Sequence, residues 1–331
     1  MALRIVFMGT PEFAVPSLER LAAAGHELLV VTQPARPRGR GLHREASPVA
    51  ARASELGWPV LERGTLRDEE ATAPLLDFDP DLLVVVAFGL ILRRRVLDLP
   101  RLMPVNLHPS LLPRHRGVAP IPWTILAGDQ ETAVATIRMD EGIDTGDLLL
   151  VERTAVGPRE DQVALAARLA ELGADLVLRT AAAAAGGTLA PRPQGDLGAT
   201  YAPRLRKEHG HVDWDRSAEW LDRQIRAVQG WPGARALLAG EPIEIVAAEP
   251  VIGHDAGGSV PGSILALEEA GMTIATGSGS LLVREVKPAG KRQMSAAAFV
   301  RGRRLSPGAR WESLPGAREA AAEIESPEGR P

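Results

Sequence analysis

Asn106-Leu107-His108-Pro109-Ser110-Leu111-Leu112-Pro113, running on to Arg116-Gly117, is the stretch from which the rest of the chain can be read. The short apolar run from Pro104 to Leu107 predicts a buried strand that delivers Asn106 and His108 to its end. A carboxamide and an imidazole two positions apart on a strand point the same way. Pro109 and Pro113 stiffen the loop that follows. Farther on, Met139-Asp140-Glu141-Gly142-Ile143-Asp144-Thr145-Gly146-Asp147 places a carboxylate, Asp144, in a glycine-punctuated turn. Asn, His and Asp together can stabilise an oxyanion, move a proton and orient the proton carrier. Each residue also has a plainer reading. A lone histidine at a strand end serves as a core or capping group, Asn106 as a turn former, and Asp144 as an Asx-turn or cap.

Outward from this strand, the first half of the chain alternates strand and helix signals. Leu3 to Met8 reads as a buried strand. Thr10-Pro11-Glu12 reads as a helix start, with Thr10 as N-cap and Pro11 in the first helical position. Phe13, Leu18 and Leu21 give that helix an apolar stripe, and Gly25 ends it. Leu28 to Thr32 is a second strand, Ser47-Pro48 opens another helix, and Pro59 to Leu61 is a short strand. Leu82 to Ala87 is nearly all apolar, as the middle of a parallel sheet requires. The expected fold class is α/β, a Rossmann-like, doubly wound, mostly parallel sheet with its ligand at the carboxyl ends of the strands. A dinucleotide is excluded. Gly9-Thr10-Pro11-Glu12 lacks the glycine-rich phosphate turn, and Pro11 and Glu12 stand where a pyrophosphate needs free N–H groups and no negative charge.

The pattern then changes. A long helix rich in Leu and Ala is expected from Glu160 to Ala185, stopped by Gly186-Gly187. The segment 191–206 reads as a linker, rich in proline and poor in core residues. After it come a helix over Trp214 to Val228 and short strands at Ile243 to Ala247, Ser263 to Ala266, Met272 to Thr276 and Leu281 to Val286. Short strands at close spacing, separated by Gly/Pro turns, suggest a small β-barrel over 207–311. Residues 1–190 then form the α/β domain. The Glu-rich, Pro-terminated tail 312–331 is expected to be disordered.

Composition decides less. The 331 residues suit two domains, and 45% hydrophobic content suffices for ordinary cores. A net charge of -4 announces no nucleic-acid partner through the field of the whole molecule. The chain has no cysteine, which excludes disulfides, thiolate metal sites and a Cys nucleophile. Seven histidines show no metal-ligand spacing, so no metal is expected. The N-terminus enters a strand at once and no apolar run approaches spanning length. A cytoplasmic protein without a membrane partner is expected, and a monomer, since no heptad or exposed edge demands a second copy. Local charge is more informative. Arg36, Arg38, Arg40 and Arg44 stand among Gly and Pro after the second strand, which suits a phosphate backbone or a merely solvated loop. Eight basic residues lie between Arg284 and Arg310 with Glu285 the only acid. A basic stripe of that kind is a plausible RNA contact.

Asn106-x-His108, Ser110-Leu111-Leu112-Pro113 and the Asp144-Thr145-Gly146-Asp147 turn, in this order, resemble the folate-dependent formyltransferases, and within them the branch whose acceptor is methionyl-initiator tRNA. Pro288 to Ser295 matches that branch too, so the resemblance runs to about Trp311. It implies a second domain of oligonucleotide-binding (OB) type and formyl transfer from 10-formyltetrahydrofolate to an amine. Asn106 would be the oxyanion donor, His108 the general acid/base, and Asp144 the group that orients His108 or a relay water. Ser110, Leu111, Leu112 and Pro113 would line the folate site, with Phe88 and Leu90 holding the pterin largely through backbone groups. Arg36, Arg38 and Arg40 would contact the acceptor stem of the tRNA. Cysteine is not needed, and without a Gly-x-Ser-x-Gly elbow Ser110 is a poor nucleophile. The chain departs from the family pattern at Leu42 and His43, where lysines are common, at Phe88, a frequent Tyr, and at His115, usually Trp or Tyr. Glycinamide ribonucleotide formyltransferases lack a second domain of this kind. Sugar-nucleotide formyltransferases have one and remain the alternative enzyme. A non-catalytic RNA-binding relative is the alternative of another class.

Overall fold

The computed structural model describes residues 2–38, 43–251 and 258–326. Its first sheet has seven strands in the order Leu148–Ala155, Glu131–Arg138, Met103–His108, Leu82–Val86, Arg4–Gly9, Glu27–Thr32 and Val60–Glu62. The last five run parallel, and Glu131–Arg138 lies antiparallel to both of its neighbours. This is the doubly wound, mostly parallel sheet expected. Alternation along the strands divides its faces. Ile5, Phe7, Leu28 and Val30 pack with the helices Val15–Ala23, Pro48–Glu55 and Gln162–Ala185. Val6, Met8, Leu29 and Val31 pack on the other side with Glu69–Phe78 and Arg94–Leu97. All five residues of Leu82–Val86 are buried, as a strand covered on both faces must be.

The start of the first helix differs from the expectation. Glu12–Ala14 is a single 3-10 turn capped by Pro11, and the α-helix begins only at Val15, with Pro16 in its first turn. The Thr10 hydroxyl does not cap it, because the hydroxyl donates to the Phe88 carbonyl at 3.1 Å. The linker is also less slack than its composition suggests. Arg192 exchanges two backbone hydrogen bonds with Leu148, and Tyr201–Ala202 pairs in parallel with Arg116–Gly117.

The second sheet is antiparallel, in the order Ile264–Glu268, Gly271–Ala275, Ser280–Pro288, Glu241–Pro250, Ala234–Leu238 and Trp311–Glu312. Its two ends meet. The Ile264 N–H donates to the Ala309 carbonyl and the Trp311 N–H to the Gly262 carbonyl, both at 2.8 Å, which curls the sheet into a small barrel. Gly262 has a φ of +88°, and a Cβ on it would lie 2.2 Å from the Trp311 carbonyl oxygen. Gly262→Ala is therefore expected to lower stability by about 2 kcal/mol or more, combining left-handed strain with a backbone clash. Urea unfolding measures it, and a wild-type midpoint would contradict this account of the seam. The helix Ala218–Ala227 packs on the barrel and on Pro120–Ala127 of the first domain, and Trp123 donates to the Pro203 carbonyl at 2.7 Å.

The expectation of disorder over 312–331 is overturned for the described part. Ala317–Glu325 is a helix whose Ala317, Ala320, Ala321 and Ile324 are buried. It packs on the turn Lys207–Gly210, with Arg216 paired to Glu325 at 2.6 Å and Arg206 paired to Glu323. The apolar stripe has helical spacing, but it is made mostly of alanine and is diluted by glutamate, so composition concealed it. Residues 327–331 lie outside the described residues. No described helix is long and apolar enough to cross a membrane.

Candidate active site

Asn106 and His108 stand at the carboxyl end of Met103–His108, and both are buried, 9% and 4% exposed. The turn between Glu131–Arg138 and Leu148–Ala155 brings Asp144 to them. That turn is built locally. The Asp140 carboxylate accepts from the Gly142 N–H at 3.0 Å and from the Thr145 hydroxyl at 2.8 Å. Asp144 itself takes a left-handed φ of 55°. Its Oδ1 accepts from Asn106 Nδ2 at 3.3 Å, and its Oδ2 accepts from the Gly117 N–H at 2.8 Å and lies 3.5 Å from His108 Nδ1. On the far side of the ring, His108 Nε2 is 2.9 Å from the His115 carbonyl oxygen. A carbonyl only accepts, so the ring gives it Nε2–H and turns Nδ1 toward Asp144. The three residues singled out in the sequence thus meet around one carboxylate.

His115 is a support that the sequence did not announce. Its φ is 58°, its N–H donates to the Thr200 hydroxyl at 2.9 Å, and its ring Nε2 lies 2.7 Å from Asp129 Oδ2. Arg114 reaches the other oxygen of Asp129 at 2.6 Å. Burial raises the Asp129 pKa, but the hydrogen bond from His115 and the charges of His115 and Arg114 together hold it below its ordinary value of 3.8. A carboxyl whose folded pKa is depressed stabilises the fold above its unfolded pKa and loses that contribution in acid. Asp129→Asn should therefore be less stable than wild type at neutral pH, with the gap narrowing as pH falls below 3.8. Denaturant midpoints across that range test this, and a gap that widened in acid would contradict it.

The residues assigned to the folate loop divide into two sets. Ser110 is fully buried and its hydroxyl donates to the Arg114 carbonyl at 2.7 Å, so it folds the loop. Leu112 packs with Ala135 and Ile137 under the sheet, and the Leu112–Pro113 peptide is cis. Leu111 and Pro113 are half-buried. Phe88 is buried, and its carbonyl already accepts from Thr10 and, at 2.7 Å, from Gln33 Nε2. Leu90 is half-buried and packs with Met139 against the apolar cluster that holds Phe88 and Leu97. Beside it runs a groove of about 420 Å³ lined by Leu97, Pro104, Arg138, Met139, Asp140 and Glu141. Arg36–Arg38 forms a two-stranded hairpin with His43–Glu45, while Arg40 lies outside the described residues. Among the described residues no group of His, Asp or Glu is arranged to hold a metal.

A doubly wound domain with a buried Asn–His–Asp cluster at its strand ends, followed by a small antiparallel barrel, defines a two-domain α/β protein built around a polar catalytic-type centre. The chain belongs to the formyl transferase family. Residues 3–181 match the formyl transferase domain and residues 204–304 the formyl transferase C-terminal domain. It is 42% identical over 307 residues to the methionyl-tRNA formyltransferase of Citrifermentans bemidjiense, covering 92% of this chain and 95% of that one. It is 45% identical over 309 residues to the enzyme of the same name from Thiobacillus denitrificans, covering 93% and 99%. Among solved structures it resembles WlaRD, a sugar 3N-formyl transferase, with a TM-score of 0.65 at 16% identity over 88% of this chain and all of that one. HypX from Aquifex aeolicus in complex with tetrahydrofolic acid gives 0.64 at 18% identity, over 91% of this chain and 47% of HypX. At those identities the likeness is one of fold.

Proposed function

We propose that the chain transfers the formyl group of 10-formyltetrahydrofolate to the α-amino group of methionyl-initiator tRNA, as a monomer in the cytoplasm. The observation that carries this reading is the single carboxylate of Asp144, which gathers Asn106, His108 and the Gly117 N–H in a chain alike over nearly its full length to methionyl-tRNA formyltransferases. Attack of an amine on a formyl carbon develops negative charge on the formyl oxygen. One N–H of the Asn106 amide is bonded to Asp144, and the other, with no partner shown among the described residues, can meet that oxygen. His108 exchanges the proton that must leave the attacking amine and reach the departing folate nitrogen. Asp144 orients the imidazole, or holds a water that relays the proton.

The folate is supported by the groove beside Asp140. A pterin is a flat ring with N–H donors on its edge. The apolar Leu97 and Met139 with the carboxylates of Asp140 and Glu141 suit its faces and its edge. Leu90, Leu111 and Pro113 are the loop residues left to line the approach, with Ser110, Leu112 and Phe88 shaping it from below. The tRNA is supported by charge. Of the basic stripe, Arg284, Lys287 and Arg303 are paired with Glu249, Glu244 and Glu241, whereas Lys291, Arg292, Arg301 and Arg304 are exposed. With Arg36, Arg38 and Arg40 they would neutralise phosphates of the acceptor stem.

Formyl transfer from 10-formyltetrahydrofolate is measured with methionyl-initiator tRNA, uncharged tRNA, free methionine and an amino-sugar nucleotide as acceptors. Transfer to the charged tRNA alone is expected. Transfer to the sugar nucleotide would keep the chemistry of Asn106, His108 and Asp144 and overturn the acceptor.

A further inference from the structure

The backbone of Asp144 is held by a side chain from the linker. The two amide hydrogens of Gln194 Nε2 reach the carbonyls of Asp144, at 2.8 Å, and Gly146, at 2.6 Å. The oxygen of the same amide accepts from Arg116 Nε at 3.1 Å. Arg116 is only 3% exposed, and its two terminal nitrogens donate to the Asp196 carboxylate at 3.1 Å and the Gly195 carbonyl at 2.9 Å. In sequence, Arg116 stands between the two backbone supports of the site. The His115 carbonyl receives His108, and the Gly117 N–H holds the Asp144 carboxylate. Gln194 and Arg116 thus clamp both sides of the cluster to one segment of chain.

We propose that Gln194 is a positioning residue for the transfer reaction. Its amide fixes the left-handed backbone of Asp144, and through it the carboxylate, from the segment that joins the two domains. A non-glycine residue at φ 55° persists only where its surroundings over-determine it, and Gln194 supplies two of the bonds that do so. Gln194 is only half-buried and its neighbours Pro193, Gly195 and Asp196 are exposed, so its bonds lie apart from the hydrophobic core. The inference rests on the catalytic reading of Asp144 given above.

Gln194→Met keeps the length of the side chain and removes both donors. In the full-length protein, kcat with methionyl-initiator tRNA is expected to fall by about 10- to 100-fold, as a small misplacement of a catalytic group would produce. KM for the folate donor and the thermal midpoint should stay near wild type. In an Asp144→Ala background the same substitution should cost nothing further, because the two act as one unit. The backbone NMR shifts of the Asp144–Thr145 and Gly146–Asp147 peptide groups, whose carbonyls Gln194 bonds and which can be read without substrate, should move in Gln194→Met. Wild-type kcat in Gln194→Met, an equal loss with Asp144 present or absent, or unmoved shifts at those two peptide groups would each overturn the proposal. Wild-type turnover in Asp144→Ala alone would bring down the catalytic reading of Asp144 and the proposal with it. Should Gln194→Met fail to fold, Gln194→Asn, which withdraws the amide by one carbon, carries the same cycle.

Discussion

Replacing His108 by alanine is expected to reduce turnover by about 10²- to 10⁴-fold, the range set by loss of a positioned acid–base group. The ring is held at Nε2 by the His115 carbonyl at 2.9 Å, and its Nδ1 lies 3.5 Å from Asp144. This arrangement fixes its orientation and leaves little for it to do in binding a large polyanion. The affinity for methionyl-tRNA, measured by filter binding or fluorescence, should therefore change far less than kcat. Losses of equal size in both would show that His108 builds the tRNA surface and is not a proton carrier. The pair of measurements also separates an enzyme from an RNA-binding relative that keeps only the fold.

The second large effect lies two residues beyond Asp144. A Cβ on Gly146 would sit 1.8 Å from the carbonyl oxygen of Arg138, which is main chain at the end of a sheet strand and has no flexible tip to move aside. In Gly146→Ala the turn must shift instead, by an ångström or more, and it carries Asp144 with it. A displacement of that size at a catalytic group costs about 10²-fold in kcat. The sheet itself, hydrogen-bonded from Glu131 to Arg138, should keep its circular dichroism. Near-native activity would mean that the position of Asp144 is not critical to the reaction.

Much of the first domain was legible in the sequence because its strands are short apolar runs, bounded by Gly and Pro, that are buried on both faces. Asn106 and His108 could be placed together because they are two apart on one strand. That Asp144 would meet them could be argued only from resemblance. What brings it there is the antiparallel pairing of Glu131–Arg138 with Met103–His108, and neither Glu131–Arg138 nor Leu148–Ala155 carries an unambiguous period. The supports were illegible for a related reason. His115 finds Asp129, and Gln194 finds Arg116 and Asp144, across separations that no local pattern encodes. Thr10 looked like a helix cap because its competitor, the Phe88 carbonyl, is 78 positions away. The tail helix went unread because alanine makes a weak stripe against a glutamate-rich background.

The seam of the barrel and the helix behind it bear on the order in which the chain matures during synthesis. The match to the formyl transferase C-terminal domain begins at residue 204, yet the sheet there is joined by Gly262 against Trp311, and the turn at Lys207–Gly210 is covered by Ala317–Glu325. Domains emerge from the ribosome N-terminal end first, at about 5–20 residues per second. The doubly wound sheet can form early, but the segment from Gln194 to Thr200 that braces Asp144 and His115 arrives after it. The barrel stays open, with Ile264 and Trp214 uncovered, until Ala309 and Trp311 are made. A nascent chain stalled before Trp311 would therefore present a finished sheet and an unsealed hydrophobic interior, a species for chaperones to hold rather than a smaller working enzyme.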